Sequence, residues 1–203
     1  MANIMDLRST RFIQSKVIPL FRKNDFKAAL LEIRKEMEYR STADLKDIEI
    51  MALYGGKKYD EAIKKGNEYL KTMHNGFEKA TIAGSLSLIE QELGNKAEEI
   101  KYINIAIGIY KKILCNRKKN YQDKNRARLQ LIYKYRLLGD YKNALQIAKI
   151  MERELLDKNN EQALMGLIPL YSELSKIYKA LSNSLMKKYY PESYKKMNSG
   201  KSE

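Results

Sequence analysis

The sequence predicts an all-α fold of about ten helices arranged as antiparallel hairpins, and three observations carry that reading. Apolar residues recur at intervals of three and four almost throughout, as in Ile100, Ile103, Ala106, Ile107, Tyr110 and Leu114, which share one side of a helix. The 203 residues contain only 10 Gly and 3 Pro, too few to punctuate the many turns of an all-β chain, yet 44% of them are hydrophobic, enough to build a core. The breaks in the periodicity are short, so successive helices must fold back on one another.

The expected spans are 5–22, 25–39, 43–54, 58–73, 76–93, 96–114, 121–138, 141–157, 160–181 and 183–196. They are separated by Asn24-Asp25, Gly55-Gly56, Asn75-Gly76, Gly94-Asn95, Gly139-Asp140 and Asn159-Asn160. These residue types tolerate a left-handed turn or cap the following helix. Pro19 and Pro169 fall inside helical patterns, where a missing N–H is expected to kink or open the helix. The whole of 1–197 reads as one helical repeat domain, and Asn198 to Glu203, without apolar periodicity, as a frayed, disordered tail.

The hairpins repeat. Asn24-Asp25-Phe26 is followed by Ala29, Lys57-Lys58-Tyr59 by Ala62 and Gly139-Asp140-Tyr141 by Ala144, always a tight turn, an aromatic and, three residues later, alanine. Gly94-Asn95-Lys96 and Ser182-Asn183-Ser184 read as degenerate copies. In the best unit, from Arg126 to Asp157, Leu131 and Tyr135 precede the turn and Ala144, Ala148 and Met151 follow it; Tyr171, Leu174, Ser175 and Tyr178 form another good first helix. On these residues the chain resembles the tetratricopeptide repeat family, built of helical hairpins of about 34 residues. Spacing lengthens along the chain, from 33 residues between Phe26 and Tyr59 to 45 between Lys96 and Tyr141, so the resemblance is to a divergent, long-helix form. It implies a solenoid of about five hairpins whose groove takes a helix or an extended peptide. Family members that clamp a carboxylate use Lys, Asn and Arg on first helices. The aligned positions here, including Gln14, Ile18, Asp47, Gly84, Leu88, Leu129 and Tyr133, are of other types, and that clamp is not implied.

The formal charge of +14 is unevenly placed. Residues 1–100 hold 17 basic and 16 acidic side chains, whereas 101–136 hold 11 basic groups and a single acid, Asp123. The candidate partner- or anion-binding residues are therefore Lys111, Lys112, Arg117, Lys118, Lys119, Lys124, Arg126 and Arg128, with Tyr133 on the groove side. Lys111 and Lys112 suit a helix C-terminus, where cations offset the dipole, while Lys124 and Arg126 in a first turn would oppose it unless an anion is present. Tyr102, Tyr110, Tyr121, Tyr133 and Tyr135 are interleaved with the charges, an arrangement that in nucleic-acid binders supplies stacking platforms. Helical-repeat core is the plainer reading of the same tyrosines.

Catalytic patterns are weak. Gly55-Gly56-Lys57-Lys58 lacks P-loop spacing, His74 has no metal-ligand partner, and Glu90 with Glu92 or Glu98 with Glu99 do not face each other on a helix. Cys115, among Lys111, Lys112, Arg117 and Lys118, reads as a partly buried repeat residue, with a reactive thiol as the alternative. No segment has the length and apolarity of a membrane span, and Met1 to Arg11 lacks a signal-peptide core. The expectation is a cytoplasmic, non-catalytic adaptor without cofactor or metal, binding an acidic protein or peptide. Two rival classes stand beside it: a nucleic-acid-binding regulator using 111–128, and a self-assembling homo-oligomer stacking through Tyr189, Tyr190 and Tyr194.

Overall fold

Four hairpin turns share one backbone conformation. Asn24, Lys57, Gly94 and Gly139 have φ of 57°, 58°, 75° and 73°, the left-handed region in which a helix ends and the chain reverses. At each, the N–H of the left-handed residue bonds a carbonyl three residues back, and the next N–H bonds one five residues back. Asp25 to Leu20, Lys58 to Leu53, Asn95 to Glu90 and Asp140 to Tyr135 all lie at 2.8–2.9 Å. This is the Schellman arrangement, which satisfies the last carbonyls of the outgoing helix. Glycine meets the conformation without strain at 94 and 139, asparagine tolerates it at 24, and Lys57 adopts it at some cost.

The computed structural model describes residues 7–158 and 161–189. Its elements are α1 (Leu7–Phe12), a π-helical segment (Ile13–Val17), α2 (Ile18–Arg22), α3 (Phe26–Tyr39), α4 (Ala43–Gly55), α5 (Tyr59–Thr72), α6 (Phe77–Glu92), α7 (Lys96–Cys115), α8 (Tyr121–Leu137), α9 (Tyr141–Lys158) and α10 (Glu161–Tyr189). The described residues contain no strand, and the fold is all-α as the periodicity requires. The first three elements run on as one rod, since Phe12, Val17 and Ile18 all keep right-handed helical angles. Pro19 lacks the N–H that would reach Ser15, and the helix widens to the π register just before it, with the Ile18 N–H bonding the Ile13 carbonyl.

Caps set the starts. Asp25 accepts from the Ala28 N–H at 3.0 Å, Thr42 from Leu45 at 3.3 Å and Asn120 from Asp123 at 2.8 Å. The aromatic that follows a turn packs on an aromatic that precedes it: Phe21 on Phe26 at 5.3 Å and Tyr54 on Tyr59 at 5.9 Å between ring centroids. The alanine that follows is fully buried in three hairpins, at Ala29, Ala62 and Ala144. In the fourth its place is taken by Glu99, also buried, whose carboxylate pairs with Lys96 at 2.9 Å.

One expected break is absent. Ser182-Asn183-Ser184 does not form a turn, and α10 continues through it to Tyr189. All three side chains are exposed, and none of the three residues has positive φ. Ser and Asn cost a helix only some tenths of a kcal/mol each, too little by itself to end one. The expected helix 183–196 is thus the end of α10 as far as it is described; Tyr190, Tyr194 and the 198–203 tail lie outside the described residues. Pro169 also sits within α10, which runs on through it.

The chain divides into two compact units, Met1–Cys115 and Asn116–Glu203, with the boundary inside the stretch read from the sequence as one basic hairpin. In the first, α4 packs against α3, α5 and α6, and α6 against α7. Its core is aliphatic, with Ile33, Leu45, Ile50, Leu53, Ile82 and Leu86 fully buried. Close approach is bought by glycine at two places: a Cβ on Gly55 would lie 2.3 Å from the Phe26 ring, and one on Gly66 would lie 2.6 Å from Leu86. In the second unit α9 packs against both α8 and α10 around Leu131, Ile132, Ala148, Met151, Leu170 and Ile177.

Candidate functional site

The predicted basic residues are divided between the units. Lys111 and Lys112 are exposed in the last turns of α7 in the first unit. In the second, Arg117 and Lys118 are exposed in the connection and Lys119 is half-buried, its ammonium 3.4 Å from Asp123. Lys124 is half-buried near the start of α8 and Arg126, two residues on, is exposed. The start of α8 already has its acid and its cap, Asp123 in the first turn and Asn120 before it, so the helix dipole does not itself call for an external anion.

Arg128 has an internal role. Its guanidinium makes two bonds to the Glu154 carboxylate, at 2.5 and 2.7 Å, plus one to Asn125 at 3.0 Å, tying α8 to α9. Tyr133 is half-buried and flanked by cations of its own helix, with the Lys134 ammonium 5.0 Å and the Arg136 guanidinium 5.1 Å from its ring centre. Arg136 also holds Glu173 of α10 at 2.8 Å, and Lys176 approaches the same carboxylate at 2.6 Å. Burial raises the Glu173 carboxyl, but the bonds from Lys176 and Arg136 outweigh it and the net direction is down. Lys134 is buried with the Ala127–Leu131 stripe, and burial pushes its ammonium below the usual lysine range.

The interleaved tyrosines are used inside the protein. Tyr102, Tyr110 and Tyr135 are buried, Tyr110 packs on Phe77 at 5.9 Å, and the Tyr121 hydroxyl donates to the Glu154 carbonyl at 3.3 Å. Cys115 is exposed, not partly buried as expected: it is the last residue of α7, two positions past Ile113, the last buried residue of that helix. His74 is exposed. Among the described residues, no group of three or more His, Cys, Asp or Glu side chains could hold a metal, and no helix is long and apolar enough to cross a membrane.

Sequence reasoning missed a groove in the first unit, of about 420 Å³, bounded by α5, α7 and the α5–α6 connection. It exists because α5 and α7 both pack on α6 but not closely on each other. The Tyr102 hydroxyl crosses the gap to the Asn67 carboxamide oxygen at 3.0 Å. Three lysines surround the groove, Lys71 on α5, Lys79 at the start of α6 and Lys112 on α7, and no carboxylate lines it. Lys79 is tied to the Met73 carbonyl at 3.2 Å. Asn67, Asn75 and Asn104 add carboxamides, over an apolar floor of Leu70, Ile105 and Ile109. Gly108 sits in the floor facing open space, with nothing within 4 Å of where a Cβ would stand. The signal was present in the sequence as two stripes at four-residue spacing, 67-71-75 and 104-108-112, but nothing in it places those stripes side by side.

On the first helices of the same unit, Asp47 of α4 accepts from the Ser85 hydroxyl of α6 at 2.7 Å. Burial raises its carboxyl above the ordinary value, the bond from Ser85 opposes that, and neighbouring Asp44 adds to it. No family model matches the chain, and neither curated proteins nor solved structures yield a match.

Proposed function

We propose that the protein is a non-catalytic interaction module, a divergent tetratricopeptide-like array of helical hairpins, that binds an acidic protein surface or peptide. The observation that carries this reading is that Arg117, Lys118 and Lys124 have no carboxylate partner among the described residues while the tyrosines interleaved with them in sequence are buried or half-buried. The tyrosines beside them in sequence are spent on the core, on a backbone carbonyl or on internal cations. Single-stranded nucleic acid gains much of its affinity from exposed aromatic faces, and none of the tyrosines interleaved with these cations is exposed, whereas carboxylates need only the charges; the exposed Tyr171 and Tyr178 of the second unit lie on α10.

Arg117→Glu/Lys118→Glu/Lys124→Glu tests the reading in the full chain, since none of the three makes an ion pair with a described carboxylate. Pull-down from cell extract, followed by mass spectrometry, is expected to recover acidic proteins with the unaltered chain and lose them with the triple variant, with or without nuclease. Partners released by nuclease would make nucleic acid the ligand. Partners retained by the triple variant would remove these charges from the account.

A further inference from the structure

The groove of the first unit carries cations in a unit that is otherwise close to neutral, with 20 Lys and Arg against 16 Asp and Glu in residues 1–115. Several of those acids are occupied elsewhere. Glu49 and Glu61 share Arg34, Glu68 pairs with Lys65, Glu98 with Lys101 and Glu99 with Lys96. Lys71 and Lys112 are left exposed at the groove with no carboxylate partner among the described residues. A local cation excess therefore sits over an apolar floor, within the range of about 300–1,000 Å³ typical of ligand clefts.

The polar groups narrow the occupant. Asn67 spends its oxygen on Tyr102, which leaves its amide hydrogens as donors, and Asn75 and Asn104 each offer a donor and an acceptor. Carboxamides of this kind match the alternating N–H and C=O of an extended peptide backbone. The lining has no aromatic ring on which a base could stack and no arginine fork for a phosphate. The floor of Leu70, Ile105 and Ile109 suits aliphatic side chains.

We propose that the groove between α5 and α7 is the docking site for an extended acidic segment of a partner protein. Its carboxylates pair with Lys71 and Lys112, its backbone is held by the asparagine carboxamides, and its aliphatic side chains rest beside Gly108. This deepens the reading of the protein as an acidic-partner module, but it places the peptide site on residues that the Arg117/Lys118/Lys124 variant does not touch.

The test is a selection of random twelve-residue peptides displayed on phage against the full chain, followed by fluorescence anisotropy of the enriched peptides. Enriched sequences are expected to combine Asp or Glu with Leu, Ile or Val. Lys71→Glu/Lys112→Glu is expected to weaken them about tenfold or more, as the loss of even one charge-assisted bond implies. Gly108→Leu fills the groove from a position with open space and replaces a poor helix former with a good one, so helicity measured by circular dichroism is expected to hold while binding is lost. Peptides without acidic residues, no enrichment, or affinities unchanged in both variants would overturn the proposal. A ten-nucleotide oligo(dT) that binds the unaltered chain and is blocked by Gly108→Leu would overturn it as well. Arg117→Glu/Lys118→Glu/Lys124→Glu serves as the control: it leaves the selected peptides bound if the groove is the site, even where the wider reading of the second unit fails.

Discussion

The two units treat charge in opposite ways. Residues 1–115 carry 20 basic and 16 acidic side chains, a net of +4, and residues 116–203 carry 19 and 9, a net of +10. The more charged unit spends its best-placed cations on its own structure, with Arg128 on Glu154 joining α8 to α9 and Arg136 on Glu173 joining α8 to α10. The less charged unit is held by fully buried isoleucine and leucine and by glycines at close helix crossings, and can leave Lys71 and Lys112 at a groove. Net charge over a sequence window therefore does not locate a binding site. What matters is which cations have been left without an acid once the helices have packed.

The comparison is broken most strongly in the aliphatic core. Leu53→Ala is expected to cost about 2–5 kcal/mol by denaturant unfolding, because Leu53 is fully buried and its truncation leaves a cavity in the core. Gly66→Ala follows, at about 1–3 kcal/mol, since its Cβ would meet Leu86 at 2.6 Å in a packed interior. In the second unit Arg128→Ala is expected to cost about 1 kcal/mol, with a loss that shrinks as salt is added, because Glu154 is partly exposed to solvent. Gly108→Ala reverses the sign and is expected to stabilise by about 0.5–1 kcal/mol, as helix propensity improves and nothing is crowded. A thermal melt that falls with Gly108→Ala would show that the groove floor is closed.

Acid sharpens the contrast without a large energy. Asp47 in the first unit has a raised carboxyl, so it binds its proton more tightly folded than unfolded. Its contribution to stability is present below the ordinary aspartate value of 3.8 and is lost as pH rises through the folded one. Asp47→Asn is therefore expected to raise the melting temperature at pH 7, with the difference fading on acidification. Glu173 in the second unit is lowered, so its contribution is present above the ordinary value of 4.5 and lost as pH falls through the folded one. Glu173→Gln is expected to lower the melting temperature at pH 7 and to matter less in acid. The same direction for both variants would contradict the assignment of the two environments.

Local chemistry made much of the fold legible. Asn24, Gly94 and Gly139 announce their turns through residue type, Asn24, Lys57 and Gly139 through the alanine five positions on, and Glu99 shows how a copy can depart from that pattern and still be buried, by carrying its own lysine. Ser182-Asn183-Ser184 misled because turn-prone residues are tolerated on an exposed helix face when apolar neighbours continue the period. The basic run at 111–128 was visible as composition, but the role of Arg128 depends on Glu154, 26 residues away, and no local pattern encodes that pairing. The groove was the least legible feature, since it is made where two helices do not pack closely on each other.

Amide hydrogen–deuterium exchange of the full chain, with and without a saturating acidic peptide from the phage selection, tests the central claim most directly. Added protection is expected at residues 67–79 and 104–112, with residues 117–128 and α10 unchanged. Protection confined to 117–128, or none at the groove, would contradict it.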